Sequence, residues 1–391
     1  MELWIALLPL WSVGGRLSEG RHWWARVRDA ELAASDTARA RALGGSAVLA
    51  LHQADYGAAA PAAAEALSLF RALDDRSGLS ATLRTLAIVA RDQGDFDAAR
   101  SLAMQAVDMA RGLGEPRNLA LSLSCHGRVE WFAGEFARST ALHEEGWALI
   151  ERAGTPMEIV AETLFLAWGA WLDGSPKKAG ELFRRALVGA RATDDRWLTA
   201  LAHGGLLRVA GSEGEVDAAL AHAISALAIC VAIDEKFLGS MTLVGLVDQL
   251  PPSAETARLL GSADRLRESV GAYWPVMVAT EYRRSLGAAR ERITPDVLTV
   301  AVSAGRATPL DGVLADLERL ADERRGRPGD LTTRELEVLR LVAQGLTDRE
   351  VAARLVVSER TVHAHLRSTY RKLGIKSRSA ATRYALEHGY A

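Results

Sequence analysis

Basic side chains recur along one face of a helix predicted near the C-terminus. Arg360, His363, Arg367 and Arg371 follow one another at intervals that place them on the same side of an α-helix. Guanidinium and imidazole groups donate hydrogen bonds to phosphate oxygens and to the acceptor edges of bases. The chemistry predicted for this stripe is therefore the binding of a polyanion, without any bond being made or broken.

The opposite face of the same helix is apolar. Val362, Leu366, Tyr370 and Leu373 recur at helical spacing, so they should face a core. Ser358 directly precedes the helix and is a favoured N-cap residue. The pattern predicts a helix over residues 358–373 that exposes its basic side to solvent.

Two further helix starts precede it. Thr332 and Thr347 are each followed three residues later by a glutamate, Glu335 and Glu350, which is the pattern of a reciprocal capping box. Gly345 lies where the first of these helices must stop, a position that favours a left-handed residue. Only a short turn is left before Ser358, so the second and third helices are predicted to cross as a helix-turn-helix.

Charge is distributed unevenly along the chain. Residues 331–391 contain 11 lysines and arginines against 6 acidic residues, a net charge of +5, whereas the whole chain has a net charge of -2. Residues 1–330 therefore hold -7. A basic end on an acidic body is expected of a protein that neutralises phosphates at one end.

The C-terminal motifs resemble the LuxR-type helix-turn-helix of bacterial transcription regulators. The matching segments are Leu331-Thr-x-Arg-Glu-x-Glu-Val-Leu, Glu350-Val-Ala, Ser358-x-x-Thr-Val-x-x-His365, Lys372-Leu-Gly and Arg378. The resemblance implies a small four-helix domain whose helix 358–373 enters the major groove of double-stranded DNA. It also implies a homodimer on DNA that binds an inverted repeat.

Carried over by position, the resemblance assigns His363, Ala364 and Arg367 to base edges, and Thr361, Arg371 and Lys372 to phosphates. The full predicted DNA-binding set is Thr347, Ser358, Arg360, Thr361, His363, Ala364, Arg367, Arg371, Lys372 and Lys376. The family usually has lysine where this chain has His363. A neutral imidazole offers one donor and one acceptor in place of three donors, so a different base preference is expected there.

The fourth helix, predicted from Ser379 to His388, is the one that the resemblance implies in dimerisation. Its predicted contact face combines small and aromatic residues, namely Ala380, Ala381, Tyr384 and Ala385.

A period of 40 residues governs the rest of the chain. When the repeats are aligned, one position holds Ala54, Gly94, Gly134, Gly174 and Gly214. The position five residues later holds Ala59, Ala99, Ser139, Ala179 and Ala219. The position twelve residues later holds Ala66, Ala106, Gly146, Ala186 and Ala226. Small residues at fixed positions indicate close helix contacts. Each unit is predicted to be a helical hairpin that buries its apolar face by stacking on its neighbours.

The Gly-x-aromatic-x-x-Ala pattern resembles the tetratricopeptide repeat, although the period exceeds the roughly 34 residues typical of that repeat. The predicted fold class is therefore all-α, an α-solenoid of helical hairpins followed by the four-helix domain. The predicted boundaries are 1–320 for the solenoid, 321–330 for a charged, Gly- and Pro-containing linker, and 331–391 for the DNA-binding domain. The order of domains resembles the large ATP-binding LuxR regulators.

No motif of an enzyme was found. The chain has no Gly-x-x-x-x-Gly-Lys-Ser/Thr, Gly-x-Gly-x-x-Gly, His-Glu-x-x-His or Gly-x-Ser-x-Gly sequence, so no catalytic residue, cofactor or metal is predicted and ATP dependence is not expected. Cys125 and Cys230 lie on apolar helical segments, which suits buried thiols in a reducing cytoplasm. We expect no stretch to reach the roughly 18 to 20 apolar residues of a membrane span, which predicts a cytoplasmic protein.

Two functions remain open at this point. The first is a sequence-specific transcription regulator whose solenoid senses a protein or small-molecule effector. The alternative is a solenoid scaffold for protein contacts with only weak, non-specific DNA binding. Trp131, Trp168, Trp171 and Trp197 could line a binding surface in either case, but aromatic residues at helical spacing more often belong to a core.

Overall fold

A computed structural model gives the architecture of most of the chain. It describes residues 1–13, 16–29, 34–326, 331, 333–355, 357–388 and 390. The described residues are almost entirely helical and include no β-strand. They divide into two compact units, Met1–Ala315 and Asp316–Ala391. The prediction of an all-α protein is confirmed.

The first unit is a stack of helical hairpins. Three short helices precede it: α1 (Glu2–Ala6), α2 (Leu8–Val13) and α3 (Leu17–Asp29). The hairpins are α4 (Asp36–His52) with α5 (Tyr56–Ala72), α6 (Arg76–Asp92) with α7 (Phe96–Leu113), α8 (Pro116–Ala133) with α9 (Phe136–Ala153), α10 (Pro156–Leu172) with α11 (Pro176–Ala192), α12 (Arg196–Ser212) with α13 (Val216–Ile233), and α14 (Lys236–Val247) with α15 (Ala254–Ser269).

The sequence period corresponds to the turns between helices. Gly94, Gly134, Gly174 and Gly214 all have positive φ, between 72° and 89°, and Ala54 at the same place in the first repeat has φ 54°. A left-handed residue ends a helix and reverses the chain, and glycine adopts this conformation without a steric penalty. The helical hairpin predicted for each repeat is therefore confirmed, and its turn lies at this position.

Small residues allow the paired helices to approach closely. Ala59, Ala99, Ala179 and Ala219, the aligned alanines near the start of each second helix, are completely buried. A side chain any larger at these positions would separate the two helices of a hairpin, because protein interiors have no spare volume. The stacked hairpins share a core that includes Leu164, Phe183 and Leu206.

The chain does not simply extend the stack after α15. Helix α17 (Pro295–Ala307) packs on α15 at a glycine contact, where a Cβ on Gly305 would lie only 1.8 Å from the carbonyl oxygen of Arg258. Helix α16 (Val276–Arg292) instead crosses back over earlier repeats. The backbone N–H of Tyr273 donates to the carbonyl oxygen of Asp92 at 2.7 Å, and Glu281 binds Arg208.

One helix contradicts the membrane analysis of the sequence. Helix α13 is 18 residues long and, by length and composition, apolar enough to cross a membrane. It is the second helix of a repeat, and its buried residues include Leu220, Leu227 and Cys230. The prediction that no stretch reaches this length and apolarity was wrong, because a helix that forms part of a hairpin core can have the same composition as a membrane span.

The second unit contains the C-terminal helices. Helix α18 (Leu310–Gly326) spans the division between the units, and α19 (Thr333–Ala343), α20 (Asp348–Leu355), α21 (Glu359–Leu373) and α22 (Arg378–Glu387) follow. The predicted linker 321–330 is helical as far as Gly326, and residues 327–330 lie outside the described residues. Charge and glycine did not end the helix where predicted, because Arg and Glu are good helix formers.

A pair formed by the buried His203 and the half-buried His222 predicts how the stability of the solenoid depends on pH. His203 Nδ1 lies 2.9 Å from His222 Nδ1. Burial and, to a smaller extent, the neighbouring His222 lower the pKa of His203 to about 4. The unfolded chain therefore binds a proton near pH 6.5, whereas His203 in the folded chain stays unprotonated down to about pH 4. We expect the free energy of unfolding to fall by roughly 3 kcal/mol as the pH is lowered through this interval. His203→Gln should make the free energy of unfolding less dependent on pH, as measured by urea titrations at several pH values. Equal pH slopes for the two proteins would contradict this.

Candidate DNA-binding surface

The four C-terminal helices enclose a core of their own. Val338, Val351, Val362 and Leu366 form one apolar cluster from α19, α20 and α21. Leu339, Leu373, Ala381 and Ala385 form a second from α19, α21 and α22. The apolar face predicted for the third helix is confirmed, with Val362 fully buried and Leu366 and Leu373 nearly so.

The predicted capping residues act as caps wherever the structure describes them. Glu350 accepts a hydrogen bond from the Thr347 amide at 2.7 Å, and the Ser358 hydroxyl accepts one from the Thr361 amide at 3.1 Å. Gly345 has φ 88°, the left-handed conformation predicted for the end of α19. Thr332 lies outside the described residues.

Helix α21 presents the basic stripe to solvent. Its exposed residues include Arg360, His363, Ala364, Arg367 and Arg371. None of the three arginines makes an ion pair with another described residue. Their guanidinium groups are therefore available for hydrogen bonds to an external acceptor, and the sequence placed this surface correctly on the helix.

One member of the stripe has an internal partner that the sequence did not indicate. His363 Nε2 lies 2.8 Å from Asp348 Oδ2, and the other oxygen of Asp348 accepts from Arg378 Nη1 at 2.5 Å. Asp348 therefore connects the start of α20, the exposed face of α21 and the start of α22. The spacing of Asp348 in sequence gave no signal of this role, since its partners lie 15 and 30 residues away.

Lys372, which is predicted to contact phosphate, has an internal partner that the sequence did not indicate. Its Nζ lies 2.6 Å from Glu335 Oε2, and the Glu335 side chain is only 5% exposed. Lys372 therefore ties α21 to α19 inside the domain. Helical spacing gives the direction of a side chain but not the presence of a buried carboxylate beside it, and the phosphate contact of Lys372 stays a prediction.

Two of the four residues predicted to form the dimerisation face are not on the surface of the domain. Ala381 and Ala385 are fully buried in the core of their own domain, beside Leu339 and Leu373. Ala380 and Tyr384 are half-buried. Small residues on a helix favour close packing, but the pattern does not say whether the partner is another helix of the same chain or of a second copy.

The remaining predicted residues lie on the surface. Thr347, Ser358 and Lys376 are exposed, and Thr361 is half-buried at the start of α21. Together with the stripe, they place hydroxyl and ammonium groups at the start of α20, at the start of α21 and just beyond its end.

Comparison with known families identifies both parts of the chain. Residues 330–385 match the family of bacterial regulatory proteins, luxR family, and residues 38–112 match the tetratricopeptide repeat. The resemblances drawn from the sequence are confirmed for these two regions.

Individual relatives agree with the family matches. An HTH-type transcriptional regulator of Mycobacterium tuberculosis (strain ATCC 25618 / H37Rv) is 36% identical over 178 residues, which cover 44% of this chain and 20% of the relative. The nitrate/nitrite response regulator protein NarP of Escherichia coli (strain K12) is 52% identical over 52 residues, 13% of this chain and 24% of the relative. The chain thus spans about a fifth of the length of its mycobacterial relative. These relatives are regulators and not enzymes, as the sequence predicted.

A solved structure has a similar fold. The crystal structure of a Rap protein complexed with competence and sporulation factor aligns with a TM-score of 0.58 and 13% identity, over 81% of this chain and 84% of that one. At this identity the similarity concerns the fold alone.

Proposed function

We propose that this chain, which carries a luxR-family helix-turn-helix domain after tetratricopeptide repeats, is a sequence-specific transcription regulator that binds an inverted-repeat operator as a homodimer. Helix α21 enters the major groove. The observation that supports this most is the exposed stripe that includes Arg360, Arg367 and Arg371, whose guanidinium groups have no ion-pair partner among the described residues.

Each part of the stripe has a distinct role in the proposal. Arg367 donates two hydrogen bonds to a guanine edge, and Ala364 packs against a neighbouring base. Arg360 and Arg371 contact phosphates, which fix the register without reading sequence. His363 contacts a base only after its ring leaves Asp348. Asp348 and the base therefore compete for the same imidazole nitrogen.

Selection from a random duplex pool with the full chain tests this function. We expect an enriched inverted repeat, preferred over random duplex by roughly a thousandfold or more at near-physiological salt. Binding with steep salt dependence but no enriched sequence would favour the alternative, a protein-interaction scaffold that contacts DNA only weakly.

The dimer contact is proposed on the outer face of α22. Leu386 is 62% exposed there, and the half-buried Thr382 lies one helical turn before it on the same side. An exposed leucine on the helix that the family uses for pairing is suited to anchor a twofold contact, because it loses its contact with water when a second copy covers it.

Leu386→Asp should therefore weaken binding to paired half-sites by roughly tenfold or more, because a charge would be buried in the contact. Binding to a single half-site should not change. Val188→Asp, at a 70% exposed valine on α11, is the matched control and should leave both affinities unaltered. Gel-shift titrations on duplexes with one and two half-sites measure the difference, and equal losses on the two duplexes would exclude this contact.

The solenoid is proposed as the sensing part of the regulator, responding to a protein or small-molecule effector in the cytoplasm, where the DNA is. Stacked helical repeats form extended concave surfaces that suit this role. No cofactor enters the proposal.

A further inference from the structure

We propose that the cavity enclosed by the helical repeats binds a small apolar molecule carrying a single carboxylate. The cavity has a volume of about 360 Å³ and lies entirely within the first unit. Sites for small ligands typically measure roughly 300 to 1,000 Å³, so the size suits one compact molecule. The inference rests on the proposed sensing role of the solenoid and specifies the chemistry of the effector.

Aromatic side chains form one part of the cavity walls. Trp131 and Trp168 contact each other with ring centroids 5.6 Å apart, and Phe132 stacks on Phe237 at 6.4 Å. Trp197 completes the aromatic wall. Such walls bind the apolar body of a ligand, since rings bury large areas and have few conformations to lose. Trp131 and Trp168, which helical spacing assigns to a core, thus belong to the core and line this cavity as well.

Three hydrogen-bond donors of the cavity walls are buried and have no partner among the described residues. They are Arg91 Nη1, Arg128 Nε and Trp131 Nε1. Arg91 and Trp131 are only 4% and 6% exposed. Leaving a buried donor unsatisfied is costly, so a small shift of these side chains toward a ligand that accepts hydrogen bonds would be favourable. A carboxylate has only acceptors and could satisfy several donors at once.

Charge selects an anion at the same place. Arg91 already pairs with Asp92, with Nη2 2.6 Å from the carboxylate. Arg128 makes no ion pair among the described residues, and its guanidinium lies over the ring of Phe165 at 5.3 Å. Burial and, to a smaller extent, the charge of the nearby Arg91 lower the pKa of Arg128 to about 10. The guanidinium is therefore still a cation at neutral pH. Arg128 is therefore a half-buried cation of the cavity wall whose charge is not balanced by a contact with the described part of the chain.

The acidic side chains of the cavity do not supply that balance. Glu158 pairs with Arg117 outside the aromatic wall. Asp195 and Glu235 accept hydrogen bonds from the first amides of α12 and α14, and burial raises the pKa of Glu235 to about 7. A dianion such as a phosphate monoester would lie near these carboxyl groups, and Arg196, which also lines the cavity without an ion pair among the described residues, is exposed to solvent. A monocarboxylate matches the charge of Arg128.

Binding of defined probes to the full-length protein without DNA tests the inference. The probes are indoleacetate, phenylacetate and octanoate at millimolar concentration, each compared with its neutral amide. We expect at least one carboxylate to raise the melting temperature and to quench tryptophan fluorescence, and its amide to do neither. No response to any of the three acids, or equal responses to an acid and its amide, would overturn the proposal.

The variant Arg128→Met separates binding from folding. Methionine keeps much of the apolar stem and removes the unbalanced charge, so the ligand-free protein should melt at the same or a higher temperature. The affinity for the responding carboxylate should fall by roughly tenfold or more, as expected on losing a hydrogen-bonded charge. Arg71→Met, at an exposed arginine on α5, should change neither quantity. Full retention of affinity by Arg128→Met would also overturn the proposal.

Trp131→Phe provides a second, milder change, because it removes the indole N–H and keeps an aromatic ring. A smaller loss of carboxylate affinity is expected. These measurements contain no DNA, so their failure would leave the operator selection and the proposed regulator role untouched.

Discussion

Replacing Arg367 by alanine should relax the choice of base at one position of each half-site and cost roughly 1 to 3 kcal/mol of binding free energy on the selected operator. The reason is that a paired set of hydrogen bonds to guanine is lost, while contacts to phosphate remain. Titration of the wild type and the variant against the selected operator and its single-base variants measures both effects.

Two matched variants make the Arg367 result specific. Arg371→Ala removes a cation from the same helix that is proposed to contact phosphate, so it should weaken all sequences similarly and reduce the salt dependence. Arg340→Ala, at an exposed position of α19, should have little effect. An equal loss on every duplex after Arg367→Ala would show that Arg367 holds phosphate and does not read a base.

The largest expected loss of stability in the solenoid follows from Glu281→Ala. The Glu281 carboxylate accepts two hydrogen bonds from Arg208, from Nε at 2.9 Å and from Nη2 at 2.6 Å, and the Arg208 side chain is only 3% exposed. Removing the carboxylate leaves a buried guanidinium without its counter-ion. We expect a cost of roughly 3 to 5 kcal/mol in urea unfolding of the repeat unit.

A double variant and a surface pair serve as controls for Glu281. Arg208→Met with Glu281→Leu removes both charges and should recover much of the lost stability, since apolar pairs often replace buried ion pairs without penalty. Arg39→Ala breaks the exposed pair with Glu65, whose side chains are 57% and 47% exposed, and should cost less than about 1 kcal/mol. If Glu281→Ala lowered the free energy of unfolding no more than Arg39→Ala does, the buried ion pair between α12 and α16 would be contradicted.

The sequence determined those features that depend on neighbours in the chain. The positive φ at Gly94, Gly134 and Gly174 follows from a turn that every repeat must make, so it recurs with the 40-residue period of the sequence. The basic and apolar faces of α21 follow from the helical period in the same way. Local geometry decides both, and local geometry is encoded in spacing.

Only the tertiary structure decided the features that depend on distant partners. Lys372 pairs with Glu335, 37 residues away, and Ala381 packs in the core of its own domain. The pairing of Arg208 with Glu281 joins residues 73 apart. Spacing in sequence gives the side of a helix on which a residue lies, but not which distant element packs against that side.

The central cavity is the clearest example of this division. Arg91, Arg128 and Trp131 lie on α6 and α8, and Trp197 and Phe237 come from the starts of α12 and α14. Each of these residues is ordinary in its own helix. The sequence by itself determined a stack of helical hairpins and a basic helix-turn-helix, because both repeat short-range patterns. Three donors without partners lie beside an aromatic wall because of how the hairpins stack and because the chain returns to earlier repeats at Tyr273. Long-range packing alone fixes both features.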